Sequence, residues 1–351
     1  MHWTDTVGTP PDFDTGFDRW ITMSDWLDTL SESDRERFEW ENEAVTRRTT
    51  GGPSTRRRES YWGHYVATQT IKFMTKCRRQ ARPFLCWSSF WEPHPPFYPP
   101  ADLYAVANAC DVSVPPIDDS PAEVHPLIAS KRKEWEHLTA VERRQMICGY
   151  YGLIALVDSF VGQVIKHLES TGDLENTIIV FTSDHGEQLG EHGMFLKFVM
   201  REGSLRVPFW IIAPGVAPSE YEGIVEHVDM FPTLCELTGI RLGRSVSGTS
   251  LTPLLDGNEK NRVAEIHGGG GSERYALSQI RDQHMVRNMT WKLNVYGGVP
   301  AELFNIRKDP GEVDNLVSDP EYADMVTTML REIRRKGVNL SEWGTGTPNG
   351  A

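Results

Sequence analysis

The string Thr177-Ile178-Ile179-Val180-Phe181-Thr182 constrains this chain more than any other segment. An uninterrupted β-branched and aromatic run of this kind is buried on both faces, as strands are inside a parallel sheet covered by helices. Val207–Ala213 repeats the texture. Upstream, Thr139-Ala140-Val141-Glu142 reads as a capping box. Ile147, Tyr150, Tyr151, Ile154, Val157, Val161, Val164, Ile165 and Leu168 then recur at three- and four-residue steps until Gly172, so one long helix leads into the strand. Trp62, Val66, Phe73, Met74 and Cys77 predict an earlier helix, and Phe84–Phe90 a strand after it. Helix–strand alternation with continuously apolar strands predicts a three-layer α/β/α domain with a mostly parallel sheet.

The flanks read differently. Residues 1–60, with the hydrophilic stretch Ser31–Arg48, predict loops and short surface helices, and the run Arg56–Arg58 a solvated face. Pro115, Pro116, Pro121 and Pro126 mark residues 99–137 as a long surface excursion, the kind of loop that carries specificity. Asp229 is placed to cap a short helix through Leu237 that ends at Gly239. Past Gly257, the segments Arg274–Arg281, Met285–Val295 and Ala301–Asn305 alternate as a small antiparallel sheet would. Asp319 and Pro320 open a last helix, with Tyr322, Val326, Met329 and Ile333 on one stripe and Gly337 as its stop. The expected division is 1–260 for the α/β domain and 261–351 for a small α+β subdomain.

Charge narrows the partners. The 351 residues hold 36 Lys+Arg against 49 Asp+Glu, a formal −13, which argues against nucleic acid and anionic membranes, since both need a basic face. The apolar runs at Gly152–Val161 and Val207–Val216 fall short of the ~20 residues of a membrane span, so no membrane partner is expected. Cys77, Cys86, Cys110, Cys148 and Cys235 form an odd set without C-x-x-C spacing, favouring reduced structural thiols. The opening residues carry no signal peptide, which makes the cytoplasm the default address.

Thr182-Ser183-Asp184-His185-Gly186-Glu187 sits at the carboxyl end of the central strand, the edge where open α/β sheets bind ligands. Asp184 and His185 offer an oxygen and a nitrogen to a divalent metal, with Gly186 allowing a sharp turn. On the tripeptide alone, a helix-capping Asp beside a hydrogen-bonded His is the plainer alternative. His94, fixed between Pro93 and Pro95, follows another predicted strand and suits a hydrogen bond to an anion. Lys197 lies a dozen residues past the pair in a segment with Gly190, Gly193 and Gly203 that can fold over the crevice.

Six ordered strings resemble the sulfatase family of the alkaline-phosphatase superfamily: PFLCWSSFWEPHPPFYPP, YYGLIALVDSFVGQVIKHL, TIIVFTSDHGEQLGEHGMFLKFVMREGSLRVPFWIIAPG, HVDMFPTLCELTGI, GTSLTPLLDG and ELFNIRKDPGEVDNL. The resemblance implies an alkaline-phosphatase-like fold without its first strand. It implies that Asp184 and His185 ligate a divalent cation, with His185 where many sulfatases have Asn, and that His94 and Lys197 contact the sulfate oxygens. Met1-His2 looks like the end of the family's G-K-x-H string, which makes His2 an active-site histidine. An oxygen-rich shell suits calcium or magnesium, and a His ligand admits manganese or zinc. The implied substrate is a small-molecule or carbohydrate sulfate ester.

The family's nucleophile, a formylglycine made within C/S-x-P-S/T-R, and two further metal aspartates have no match in these 351 residues. The expectation is an N-terminally incomplete sulfatase, inactive as it stands. Two other readings remain: a phosphonate or phosphodiester hydrolase of the same superfamily, and a non-catalytic binding remnant. A dinucleotide enzyme is disfavoured, since no G-x-G-x-x-G follows a strand.

Overall fold

A computed structural model describes residues 21–46, 51–116, 124–255 and 274–340. His2 and the Gly268–Gly271 run lie outside the described residues. The chain divides into two compact units, Met1–Pro115 with Trp135–Asn176, and Pro116–Glu134 with Thr177–Ala351.

The first unit contains α1 (Met23–Leu27), α2 (Glu32–Thr46), α3 (Trp62–Arg79), α4 (Ala101–Ala109) and α6 (Ala140–Thr171); α5 (Pro126–Lys133) belongs to the second. The predicted limits of α6 hold. Thr139 Oγ1 accepts from the Glu142 amide at 3.2 Å, Glu142 Oε2 accepts from the Thr139 amide at 2.8 Å, and Gly172 ends the helix at φ 73°. Its buried stripe runs Met146, Ile147, Gly149, Leu153, Leu156, Val157 and Phe160, and packs on α3 and α4. Burial of each large apolar side chain there contributes about 1.5–3 kcal/mol. A Cβ at Gly149 would stand 2.2 Å from the Phe97 carbonyl oxygen, so only glycine lets that loop lie on the helix. By length and composition alone α6 could cross a membrane, contrary to the sequence expectation; ten of its 32 residues are buried inside the unit.

Two expectations change here. Phe84–Phe90 keeps the alternation of a strand, with Cys86, Ser88 and Phe90 half-buried and Leu85, Trp87 and Ser89 exposed, but among the described residues it joins no ladder. It lies along α3 instead, tied by Trp62 Nε1 to the Ser89 carbonyl (3.0 Å) and by Thr70 Oγ1 to Ser88 Oγ (2.7 Å). The excursion at 99–137 contains α4 and α5, because Pro100 and Pro126 start helices, where a missing N–H costs nothing.

In the second unit, β1 (Ile179–Thr182) pairs antiparallel with β2 (Phe209–Ile212), Thr182 opposite Phe209. The predicted strands are thus in place, but their direction is not the one expected. Parallel pairing among the described residues is confined to the first unit's bridges Gly51↔Phe97 and Ser54↔Pro100. α7 (Glu202–Leu205) precedes β2, and α8 (Met230–Leu237) and α9 (Thr252–Leu255) follow it. Gly239 stops α8 as expected, at φ 71°, but Asp229 makes no side-chain cap bond. Its buried carboxylate instead accepts from the Glu226 and Thr249 amides at 2.8 and 2.9 Å and pairs with Arg274.

The C-terminal sheet is the four-stranded meander β3 (Ala276–Ile280), β4 (Gln283–Arg287), β5 (Trp291–Tyr296) and β6 (Val299–Asn305). Met285–Val295, read as one segment, is two strands, because Asn288 Oδ1 captures the Thr290 and Trp291 amides at 2.9 and 2.6 Å and turns the chain. The last helix, α10 (Ala323–Arg335), seats Met329 and Ile333 against Val286, Leu293, Val295 and Leu303. On the other side of the sheet lies a buried ionic network. Arg201 pairs with Glu302, which also accepts from Asn294 Nδ2 (2.9 Å) and Tyr296 Oη (2.8 Å), while Lys292 reaches Glu202 (2.9 Å) and Glu312 (2.7 Å).

Removing one member of a buried ion pair strands the other charge, at a cost of about 3–5 kcal/mol. Glu302→Ala is therefore expected to lower the second unit's unfolding transition by about that amount in a chemical-denaturation melt. A change under about 1 kcal/mol would show that Arg201 is solvated without its partner.

Candidate active site

β1 delivers Ser183, Asp184 and His185 at its carboxyl end. Asp184 is exposed, with 82% of its side chain accessible, as a group offered to a ligand must be. Its Oδ1 accepts from the His185 amide at 3.0 Å, and its Oδ2 stands 3.6 Å from His185 Nε2. His185 Nδ1 lies 2.8 Å from the Gly186 carbonyl, which can only accept, so the proton sits on Nδ1 and the acceptor lone pair on Nε2. A carboxylate oxygen and an imidazole nitrogen side by side can both serve as ligands to a divalent cation. Among the described residues no third His, Cys, Asp or Glu joins them.

Gly186 is required for a different reason from the one predicted. A Cβ there would come within 2.1 Å of the Gly203 carbonyl oxygen, and its amide donates to Ser204 O at 2.8 Å. The backbone of the metal-like string is therefore pressed directly on α7. Between these two glycines the chain forms a closed loop. Leu189, His192, Leu196 and Phe198 all hold left-handed φ (49°, 52°, 68° and 75°), a concentration of strain typical of ligand-holding segments. The bonds that close the loop are Gln188 N to Leu196 O (2.9 Å), Gly190 N to Met194 O (2.7 Å), and Glu187 Oε1 receiving both the Leu189 and Leu196 amides. Met194, Val199 and Met200 seat it on Ile128, Met285 and Tyr296.

Lys197 occupies this loop with only 8% exposure. Burial pulls its pKa below the usual lysine value, and the Glu187 and Asp184 carboxylates pull it back, so the ammonium shares the field of the metal-like pair. Burial raises Glu187 to about 7, opposed by the two amides and by Lys197. The structure thus brings Asp184, His185 and Lys197 together on the second unit. His94 is built on the first unit, half-buried, its amide donating to Trp91 O (2.9 Å), its Nδ1 lying 2.8 Å from Pro95 O and its ring 4.7 Å from that of Trp91.

Residues that spacing did not single out also take part. Glu187 was quoted within the string, yet nothing in its spacing reveals that it ties the loop. His227 Nε2 lies 2.9 Å from Thr182 Oγ1, whose hydroxyl donates to Pro208 O at 2.8 Å, so His227 donates to Thr182 at the end of β1. The histidine in HVDMF was the available signal. His192 is pushed down to about 4, first by burial and then by the Arg201 charge.

Since unfolded His192 titrates near its ordinary 6.5 and the folded one near 4, the unfolded state takes up the proton first as pH falls. Stability should therefore decline between pH 6.5 and 4. His192→Asn, which tolerates the left-handed φ, should flatten that decline in melts recorded across this window; an unchanged slope would assign the pH dependence to other groups.

The family described as Sulfatase matches residues 1–240, and N-sulphoglucosamine sulphohydrolase, C-terminal, matches residues 190–339. The chain is 31% identical over 278 residues to the multifunctional alkaline phosphatase superfamily protein PehA of Trinickia caryophylli, covering 71% of this chain and 54% of that protein. It is 36% identical over 203 residues to arylsulfatase K of Danio rerio, covering 56% and 39% respectively. The chain thus spans about half the length, or less, of these relatives. The solved phosphonate monoester hydrolase of Silicibacter pomeroyi is similar with a TM-score of 0.69 at 25% identity, over 81% of this chain and 62% of that one. With the Sulfatase match covering more than half of its residues, this chain belongs to the sulfatase family of the alkaline-phosphatase superfamily and has its alkaline-phosphatase-like fold.

Proposed function

We propose that this chain carries the metal-binding and anion-binding side of a hydrolase of sulfate esters, acting on a small-molecule or carbohydrate sulfate. The observation that carries the reading is the placement of Lys197: a buried lysine in a strained, clamped loop, within the field of an exposed carboxylate that adjoins a His acceptor nitrogen. A lysine serving only solubility would extend into water.

Asp184 and His185 are the residues that would hold the divalent cation, calcium first, with magnesium, manganese or zinc as alternatives. When bound, such an ion supplies positive charge to a sulfuryl oxygen. Lys197 is assigned to the sulfate oxygens, where a fixed ammonium stabilises negative charge as it grows on the ester. The Glu187 clamp keeps Lys197 from swinging into solvent, so the loop arrives at the ester already ordered. None of the 351 residues is assigned as nucleophile, since C/S-x-P-S/T-R does not occur among them. On this reading the chain by itself binds the ester without turning it over.

A second reading, hydrolysis of phosphonate monoesters or phosphodiesters, is favoured by the similarity to PehA and to the phosphonate monoester hydrolase. The same cationic groups would serve a phosphoryl group.

The 351-residue protein should bind manganese, read by electron paramagnetic resonance, and Asp184→Asn should weaken that binding tenfold or more. It should bind an aryl sulfate in a manner lost in Lys197→Ala, with no detectable release of the phenol. Turnover that disappears in Lys197→Ala would mean that an unassigned group attacks the ester. Tighter binding of a phenyl phosphonate monoester than of the sulfate would favour the second reading.

A further inference from the structure

Two cysteines of the first unit meet around one helical end. Cys110 follows α4 directly, and its Sγ donates to Val106 O at 3.4 Å. Cys148 lies on α6, and its Sγ donates to Ala107 O at 3.9 Å and to Asn108 Oδ1 at 4.0 Å. The two thiols thus reach consecutive carbonyls in the last turn of α4.

Arg144 ties that turn to α6. Its Nη2 donates to Asn108 O at 2.9 Å and to Cys110 O at 3.3 Å, and its Nη1 donates to Asn108 Oδ1. Cys148 stands four residues further along α6, on the same face as Arg144. Burial raises the Cys148 thiol above its ordinary pKa, the Arg144 guanidinium lowers it, and Cys110 raises it again, so the two thiols lie in each other's field.

The pair is unequal in access and in freedom to move. Cys110 is exposed, whereas Cys148 has 0% exposure. Cys110 is the C-cap of α4 in an extended conformation (φ −75°, ψ 155°), so turning its Sγ away from Val106 O disturbs no bond of the helix backbone. Cys148 is held in place, because the neighbouring Gly149 is pressed by the Phe97 carbonyl. An oxidant therefore reaches one sulfur while a second is fixed beside it, the arrangement that thiol–disulfide exchange requires.

We propose that Cys110 and Cys148 are a redox-active pair whose intramolecular disulfide staples the end of α4 to α6. The oxidant is a low-molecular-weight disulfide. The Cys110 thiolate attacks one of its sulfurs, which forms a mixed disulfide and releases one small thiolate. Cys148 gives its proton to water and attacks the Cys110 sulfur; the Cys110–Cys148 bond forms and the second small thiolate leaves. Two protein thiols have then given up two protons and two electrons, and the oxidant has become two thiols. The staple stabilises the first unit by restricting its unfolded chain.

The test exposes the full chain to oxidised glutathione and reads it by peptide mapping in a mass spectrometer and by a thermal melt. A peptide joining Cys110 to Cys148 should appear, without glutathione remaining on Cys110. The first unit's unfolding midpoint should rise by about 5 °C or more and fall back in dithiothreitol. Cys110→Ser, a change at an exposed position, should abolish both the joined peptide and the rise. Cys148→Ala should leave glutathione trapped on Cys110. Glutathione that persists on Cys110 in the unaltered chain would overturn the pair, as would a disulfide from Cys110 to a second chain. A joined peptide with an unchanged midpoint would overturn the staple.

Discussion

The paired charges at Arg201, buried, and Glu202, half-buried, are the anchor on which the site depends. Arg201 is held by Glu302, and Glu202 by Lys292 and Arg287, all on the C-terminal meander. These two residues begin α7, on which the Gly186 backbone rests and from which the Lys197 loop departs. A small sheet that looks peripheral in sequence therefore fixes the geometry of a string that looks catalytic. A buried ion pair is a costly anchor unless its remaining polar atoms are bonded, and Asn294 and Tyr296 supply those bonds to Glu302.

The loop itself shows how a lysine is kept in the field of two carboxylates. Glu187 spends its Oε1 on two amides, so it orders the backbone that carries Lys197. Asp184 receives its own neighbour's amide and stays turned to solvent. Four left-handed residues keep the segment tight, and the cost of holding them is met by apolar burial of Met194, Val199 and Met200 on the second unit's core. Strain and exposure are thus concentrated where ligand is expected, and packing where it is not.

Much of this was legible in the residues themselves. The limits of α6 followed from Thr139, Glu142 and Gly172, because caps and αL stops act over three or four residues. The family strings located Asp184, His185 and Lys197, and the structure sets these three in one neighbourhood. The burial of Lys197 could not be read, since an isolated lysine between loop glycines has the same spelling whether it snorkels or is enclosed. Nor could the need for Gly186, whose partner Gly203 lies in another turn.

What the sequence determined by itself was local: where helices start and stop, which faces are apolar, and which residue types stand at the end of β1. Tertiary structure decided everything that depends on which surfaces meet. The β1–β2 pair runs antiparallel, Phe84–Phe90 alternates without joining a ladder among the described residues, and Asp229 serves Thr249 and Arg274 instead of its own helix. Lys131 and Arg281 reach the ring of Phe198, the neighbour of Lys197, from distant positions. The physical reason is one of range. Capping and periodicity are written in spacings of a few residues, whereas strand direction and charge clustering depend on contacts between segments tens to more than a hundred residues apart, for which single-chain spacing holds no code.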